Sequence, residues 1–215
     1  ASYARDGADP DSEVLDRGLT QVIGTNGFPV RNGNQLILGN AIPKFFGGLK
    51  NQFTYKGLEL SLLIDFRSGL EQYNQFANFL SAFGKQEDSE RRNETVVFPG
   101  VLADGSQNTK EVWLGQGIGP DGVDYGAGYW RNSYRGVSEN FVNDASFIKL
   151  RNITLAYSLQ PGVLEKTPFR TARISLAANN IIFSTPWDGF DPESFSAGAG
   201  GNAVGFTGLG FPGVQ

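Results

Sequence analysis

The clearest pattern in the chain is an alternation of period two. Leu58, Leu60, Leu62, Ile64 and Phe66 alternate with Glu59, Ser61, Leu63, Asp65 and Arg67. Successive side chains of an extended strand point to opposite faces, so 58–67 presents one apolar face and one almost wholly polar face. A helix would scatter those acids around its circumference, and a strand is predicted. Segment 44–55 alternates too, with Phe45, Gly47, Leu49, Asn51, Phe53 and Tyr55 opposite Lys44, Phe46, Gly48, Lys50, Gln52 and Thr54. Lys56-Gly57 lies between the two, where a tight hairpin turn belongs. A third strand is predicted over 147–158, but its parity changes midway. By simple counting Ile148 and Leu150 fall on one face and Ile153, Leu155 and Tyr157 on the other. That is either a bulge near Arg151-Asn152 or a strand that continues past its buried zone. The fourth strand, 172–183, sets Ile174, Leu176, Ala178 and Ile182 against Arg173, Ser175, Ala177 and Asn179.

Segments 1–42, 69–144 and 184–215 lack this alternation and are rich in turn dipeptides such as Asp6-Gly7 and Asn32-Gly33. One short helix is predicted within Glu71–Gly84, where Tyr73, Phe76, Phe79, Leu80 and Phe83 recur at spacings of three and four. Connections of this length are functional or disordered as a rule. Their order is informative: long, two residues (56–57), long, about ten residues (159–169), long. All the long ones therefore leave one end of the sheet. Outer-membrane barrels share that asymmetry, and a tilted strand of about 9–11 residues crosses the hydrocarbon. Four strands cannot close a barrel, so this architecture requires strands from outside the chain. Tyr55, Tyr157, Phe183 and Trp187 at the strand ends suit an interfacial girdle. A soluble antiparallel sandwich alternates in the same way. Periodicity and spacing leave both architectures open.

Composition narrows the chemistry. The chain has 215 residues, with 29 Gly, 13% aromatics, and no Cys, His or Met. Thiol nucleophiles, zinc fingers, disulfide frameworks and Ser-His-Asp triads are excluded. A net charge of -4 with no Lys/Arg cluster gives no nucleic-acid surface. No run is long and apolar enough for a membrane-spanning helix. Gly115-Gln-Gly117-Ile-Gly119 lacks the strand before and helix after that a dinucleotide fingerprint needs. The missing Met fits either an N-terminus that was processed away or a piece of a longer chain.

Three stretches carry a family resemblance. Leu38-Gly39-Asn40-Ala41-Ile42-Pro43-Lys44-Phe45, followed by Gly48-Leu49-Lys50-Asn51-Gln52-Phe53-Thr54-Tyr55-Lys56-Gly57-Leu58-Glu59-Leu60-Ser61, resembles a block of the SusC/RagA family. Asn143-Asp144-Ala145-Ser146-Phe147-Ile148-Lys149-Leu150-Arg151-Asn152-Ile153-Thr154-Leu155-Ala156-Tyr157 resembles that family's "DGSFLRLRNITLGY" strand, and Tyr129-Trp130-Arg131-Asn132-Ser133-Tyr134 the "YWxxxY" before it. Arg173-Ile174-Ser175-Leu176, Asn179-Asn180-Ile181 and Asp188-Gly189-Phe190-Asp191-Pro192-Glu193 resemble its ending. Order and spacing agree over about 38 to 193.

The resemblance implies an all-β fold: C-terminal strands of a 22-stranded antiparallel transmembrane β-barrel, with long extracellular loops (1–42, 69–144 and 184–215). It would not be a complete domain. The plug and TonB box would lie outside this chain, and one further strand would follow Gln215. The implied function is TonB-dependent import of a nutrient oligomer, glycan or peptide, across the bacterial outer membrane. The implied partners are a SusD-like surface lipoprotein as lid and the TonB-ExbB-ExbD complex as energy source. Two alternatives stay open: a non-transporting outer-membrane receptor or structural subunit, and a soluble β-rich carbohydrate-binding module. No enzyme activity is expected.

The candidate ligand-binding residues are the loop aromatics Trp113, Tyr129, Trp130, Tyr134 and Trp187, whose flat faces suit sugars or peptide side chains. The competing role is packing loops together. Glu59, Asp65, Arg67, Lys149, Arg151 and Arg173 are expected to face the lumen. Asp188, Asp191 and Glu193, or Asp121 and Asp124, offer hard oxygens to Ca²⁺, yet turn and cap chemistry is their expected use. No cofactor and no resident metal are expected.

Overall fold

The computed structural model describes residues 1–188 and 191–193, together with the backbone of Phe206–Thr207. Most of the predicted 184–215 loop, and Gly189-Phe190 of the C-terminal motif, lie outside the described residues. The strands are β1 (Phe45–Tyr55), β2 (Leu58–Ser68), β3 (Glu71–Asn74), β4 (Thr95–Val96), β5 (Val112–Trp113), β6 (Val142–Asp144), β7 (Phe147–Ser158), β8 (Arg173–Ser184) and β9 (Phe206–Thr207). Two short helices join them, α1 (Gln75–Ala82) and α2 (Pro161–Leu164). The chain divides into a sheet unit, 42–70 with 144–188, and a loop unit, 1–41 with 71–143 and the C-terminal segment.

In the sheet unit β1, β2, β7 and β8 form one antiparallel sheet in that order. It is not closed, and β1 and β8 are its edges. Tyr55 pairs with Leu58 across a two-residue turn in which Lys56 and Gly57 both have positive φ, 46° and 86°. That backbone matches the right-handed twist of the flanking strands. A Cβ on Gly57 would also sit 2.8 Å from the Ser158 carbonyl, so the neighbouring hairpin end closes only over glycine. The other connection at this end, 159–172, includes α2. The long excursions all depart from the opposite end, where Ser68, Phe147 and Ser184 lie.

The parity break in β7 is a bulge. Leu63 pairs with Asn152 but Ile64 pairs with Leu150, leaving Arg151 unmatched. One surplus residue returns Ile148 and Leu150 to the face of Ile153, Leu155 and Tyr157. Most apolar residues of the four strands therefore share one face, with Phe46, Leu63, Phe147 and Phe183 on the other. The shared face is exposed on the edge strands and half-exposed over much of β2 and β7. Leu176 is 75% accessible, Phe45 70% and Ile174 68%. Tyr55 and Tyr157 stand at the turn end of this face, both in register with Leu58. Phe183 and Trp187, expected beside them in a girdle, are elsewhere: Phe183 pairs with Lys149 on the polar face, and Trp187 is buried with Leu70 and Ala145.

The loop unit is held by scattered bridges rather than by repeating strands. Isolated bridges tie Tyr3 to Arg31, Val14 to Ile37 and Val22 to Val101. Short backbone bonds such as Ile23 N–H to the Val101 carbonyl, 2.7 Å, stitch the first excursion to the second. Its buried apolar residues include Ile23, Val112, Leu114, Tyr129, Val137 and Phe141. Single bridges need no run of alternating residues, so period-two counting does not detect them. The helix predicted within 71–84 begins later than the pattern: Glu71–Asn74 is strand β3, and the Asn74 side chain caps α1 by accepting from Ala77 N–H.

Candidate functional site

The loop unit gathers its aromatics into one chain of ring contacts. Tyr129 stacks on Phe28 at 5.8 Å and touches Phe98 at 5.0 Å, Trp130 at 5.1 Å and Tyr134 at 5.8 Å. Tyr134 continues to Phe141, which meets Tyr73. From Phe28 the chain runs the other way through Tyr125 to Trp113. Tyr129 is 7% exposed, and burial holds its phenol neutral, far above the ordinary value. Its ring is therefore core, and its flat faces are taken by other rings. Trp187, in the sheet unit, is equally enclosed; its backbone N–H donates to Thr185 Oγ1, whose hydroxyl donates to the Ser146 carbonyl. Of the five aromatics singled out in the sequence, Trp113, Trp130 and Tyr134 keep partial exposure.

Trp113 and Trp130 line a common cleft of about 570 Å³, of the size that holds a small ligand. Its rim follows the end of α1, the 3₁₀ turn Glu87–Asn93, the strand end at Trp113–Gln116 and the turn of π-helix Tyr129–Tyr134. A wide π turn is uncommon and is frequently found at functional sites. Gly115 makes the Trp113 pose possible: a Cβ there would overlap the indole ring. The indole N–H of Trp130 is buried and has no partner among the described residues. A buried donor without an acceptor is costly, and such groups in native folds call for a water or ligand.

The cleft's charged lining is one-sided. Lys85, Arg92 and Arg131 border it, and no Asp or Glu does. The composition of the chain runs the other way, with 22 acids against 18 bases. Arg91, next to Arg92, points its charge elsewhere and pairs with Glu94 at 2.8 Å. Lys85 and Arg131 form no ion pair among the described residues, and Arg92 donates to the Ser89 carbonyl at 3.2 Å. None of these three cations is evident from the sequence pattern. Arg131 is adjacent to Trp130 in the Tyr-Trp motif, which is the one signal that points to it.

Three of the five acids considered as cation ligands, Asp121, Asp124 and Asp191, are occupied by turns. Asp121 accepts from Val123 N–H and from the Tyr125 hydroxyl at 2.7 Å, which holds its carboxyl below the usual range. Asp124 accepts from Gly126 N–H, and Asp191 from Glu193 N–H. No group of three or more acids, His or Cys converges among the described residues.

The six charged strand residues all lie on the polar face of the sheet. Arg151 donates to Asp65 at 2.7 Å, and Arg173 to Glu59 at 3.0 Å. Lys149 is 4% exposed, with its ammonium 4.9 Å from the Phe147 ring centre and 4.8 Å from that of Phe183. Arg67 reaches the Phe147 ring as well, at 5.6 Å. Asn152 and Asn179 bond side chain to side chain across the bulge at 2.8 Å. This face is a polar surface that pairs Asp65 with Arg151 and Glu59 with Arg173, and its opposite carries the exposed apolar side chains.

Comparison with known proteins supplies the family. The chain is 30% identical over 185 residues to a TonB-dependent receptor of Formosa agariphila, covering 83% of this chain and 16% of that protein. A second TonB-dependent receptor of the same organism is 23% identical over 167 residues, covering 77% of this chain and 14% of its own length. The chain thus spans about a sixth of the curated relatives it matches. In the solved structure of the RagAB peptide transporter, one chain superimposes with a TM-score of 0.50 at 20% identity, over 89% of this chain and 19% of that one. That likeness concerns the fold. No family model matches.

Proposed function

Because this chain is part of a SusC/RagA-like TonB-dependent transporter, we propose that it forms a section of barrel wall and its outer loops in a protein importing a nutrient oligomer across the bacterial outer membrane. The apolar face meets lipid and the polar face meets the lumen. Glu59, Asp65, Arg67, Lys149, Arg151 and Arg173 then line the interior, where their charges stay hydrated or paired. The unpaired edges of β1 and β8 continue into strands elsewhere in the protein, since backbone groups in hydrocarbon must all be bonded.

The observation that carries this reading is the exposed apolar face. A soluble sandwich would cover it, because each buried Leu, Ile or Phe gains about 1.5–3 kcal/mol. Its height fits a bilayer. The eleven residues of β1 span ten steps, about 33 Å at 3.3 Å per residue; a tilt of about 40° reduces this to about 25 Å, the height of an outer-membrane apolar band. No helix among the described residues is long and apolar enough to cross a membrane.

In the intact transporter a SusD-like lipoprotein would cap the loops, and TonB-ExbB-ExbD would drive release of a plug lying outside this chain. Trp130, Trp113 and Tyr134, which are half-exposed, are the loop aromatics that would meet a ligand in this reading. The test is spin labelling of the intact protein at Leu62 and Ser61, with uptake measured with and without TonB. A label at residue 62 should be quenched by lipid-soluble oxygen and one at 61 by a water-soluble nickel chelate. Solubility of the intact protein without detergent would defeat the membrane reading. Normal uptake without TonB would leave a barrel that is not an active importer.

A further inference from the structure

We propose that the cleft between the end of α1, the Glu87–Asn93 turn and the Tyr129–Tyr134 π turn binds an acidic oligosaccharide, its sugar ring against the indoles and its carboxylate against the guanidinium groups. The proposal rests on the import reading and names the class of cargo.

The argument starts with charge. Three cations and no acid line this one cleft in a chain of net charge -4. Glu87, Asp88, Glu90 and Glu94 lie on or beside the same 3₁₀ turn but not in the lining. Glu94 is engaged by Arg91, and Asp88 is within 3.3 Å of the Tyr134 hydroxyl that donates to it. The turn thus sorts its charges, sending Arg92 alone into the cleft. Guanidinium groups without a protein carboxylate are matched in geometry to an incoming one, which they bind through two parallel N–H bonds. A neutral sugar or an apolar peptide would leave them without that partner.

The second part is shape. Trp113 and Trp130 bring two large flat apolar surfaces to the same cavity. An acidic peptide carries its charge on flexible chains and has no need of such surfaces. A uronic acid ring carries a carboxylate fixed beside an apolar ring face, and uses both features at once. The unpartnered indole N–H of Trp130 supplies a donor for a ring hydroxyl or ring oxygen, and Asn93 and Gln116 supply further polar groups. The π turn explains how adjacent residues Trp130 and Arg131 both border the cleft.

The test is calorimetric titration of the intact receptor in detergent with a short oligogalacturonate, a neutral oligosaccharide of equal length and an oligoglutamate peptide. The expected result is binding of the acidic sugar that weakens as salt is raised. Arg131→Gln and Arg92→Gln should each weaken it about tenfold, and Trp130→Ala comparably. Arg131→Lys should retain more of it than Arg131→Gln. Each variant must keep the heat-modifiable migration of a folded barrel, and a variant that loses it is replaced by Arg92→Lys or Trp130→Phe. Equal binding of the neutral sugar, tighter binding of the peptide, or acidic-sugar binding untouched by both Arg→Gln changes would overturn the proposal. If TonB-dependent uptake of a neutral oligomer is found while the acidic one does not bind, only the cleft assignment falls. If the acidic sugar binds but TonB drives no uptake, only the import reading falls.

Discussion

The two units of this chain solve the problem of apolar residues in opposite ways. The loop unit, drawn from segments with no repeating pattern, buries Tyr129, Ile23, Val112 and Phe141 among one another. The sheet unit, drawn from the most regular segments, leaves Leu176, Ile174, Leu49 and Phe53 bare. On the membrane reading proposed above, regular alternation with an exposed apolar face belongs to a surface whose solvent is not water. Irregular sequence with a buried core belongs to one whose solvent is. The same residue types are stable in both places because the medium outside differs.

The strongest way to break the comparison is to remove the keystone of the loop core. Tyr129→Ala is expected to cost the loop unit about 3–5 kcal/mol, as large-to-small aromatic changes in cores do. Limited proteolysis of the intact protein should then cut within 71–143 while the barrel stays heat-modifiable. Loss of both together would show that the two units do not differ in the way described. The next effect tests the other medium. Leu62→Arg, near the middle of the apolar face, is expected to cost about 2–4 kcal/mol of folding into vesicles, whereas Ser61→Arg one residue away should cost little. Equal penalties at the two positions would remove the assignment of faces.

A third test uses pH on the loop unit alone. The Tyr129 phenol has its value raised by burial, so the folded form resists ionisation while the unfolded chain ionises near its ordinary value of about 10. Stability is therefore complete below pH about 10 and lost as pH rises beyond it, by about 1.4 kcal/mol per unit. Protease sensitivity of the loops should rise in that window, and Tyr129→Phe should remove most of the pH dependence, leaving smaller contributions from Tyr73 and Tyr125, whose phenols burial also raises. A Tyr129→Phe protein that loosens as steeply above pH about 10 would assign the transition to other groups. The smallest effect is on the polar face. Asp65 and Arg151 are each 28% exposed, so Asp65→Asn is expected to cost only about 1 kcal/mol in vesicle refolding. A loss several times larger would mean that the pair sits in a dry interior instead of a wetted lumen.

How much of this was readable beforehand follows the same division. The alternation at 58–67 announced a strand because every second side chain there reports its surroundings, and β2 ends at Ser68, one residue further on. The two-residue turn was legible from Lys56-Gly57 since few dipeptides accept two positive φ values. The parity break at Arg151 was visible, but choosing between bulge and overrun required the partner strand's register, which no single segment contains. The loop unit was nearly opaque. Its bridges join residues such as Val22 and Val101 that have no local pattern, and its core is set by which rings meet in space. For the candidate site, the indoles stood out as rare residues. The cations did not, because Lys85, Arg92 and Arg131 come from three separate stretches and only the fold brings them to one cleft.

The interlocking of the loop unit has a consequence for engineering and for divergence. Arg31, from the first excursion, donates to the Asn132 and Ser133 carbonyls of the second. Glu139 receives the Tyr3 N–H and the Arg5 guanidinium, and Lys110 reaches the Thr25 carbonyl. Transplanting one excursion between receptors would strand half of each of these bonds on a host that lacks the complement. Segments 1–41 and 71–143 should therefore be exchanged as a pair, as one cassette rather than as separate loops.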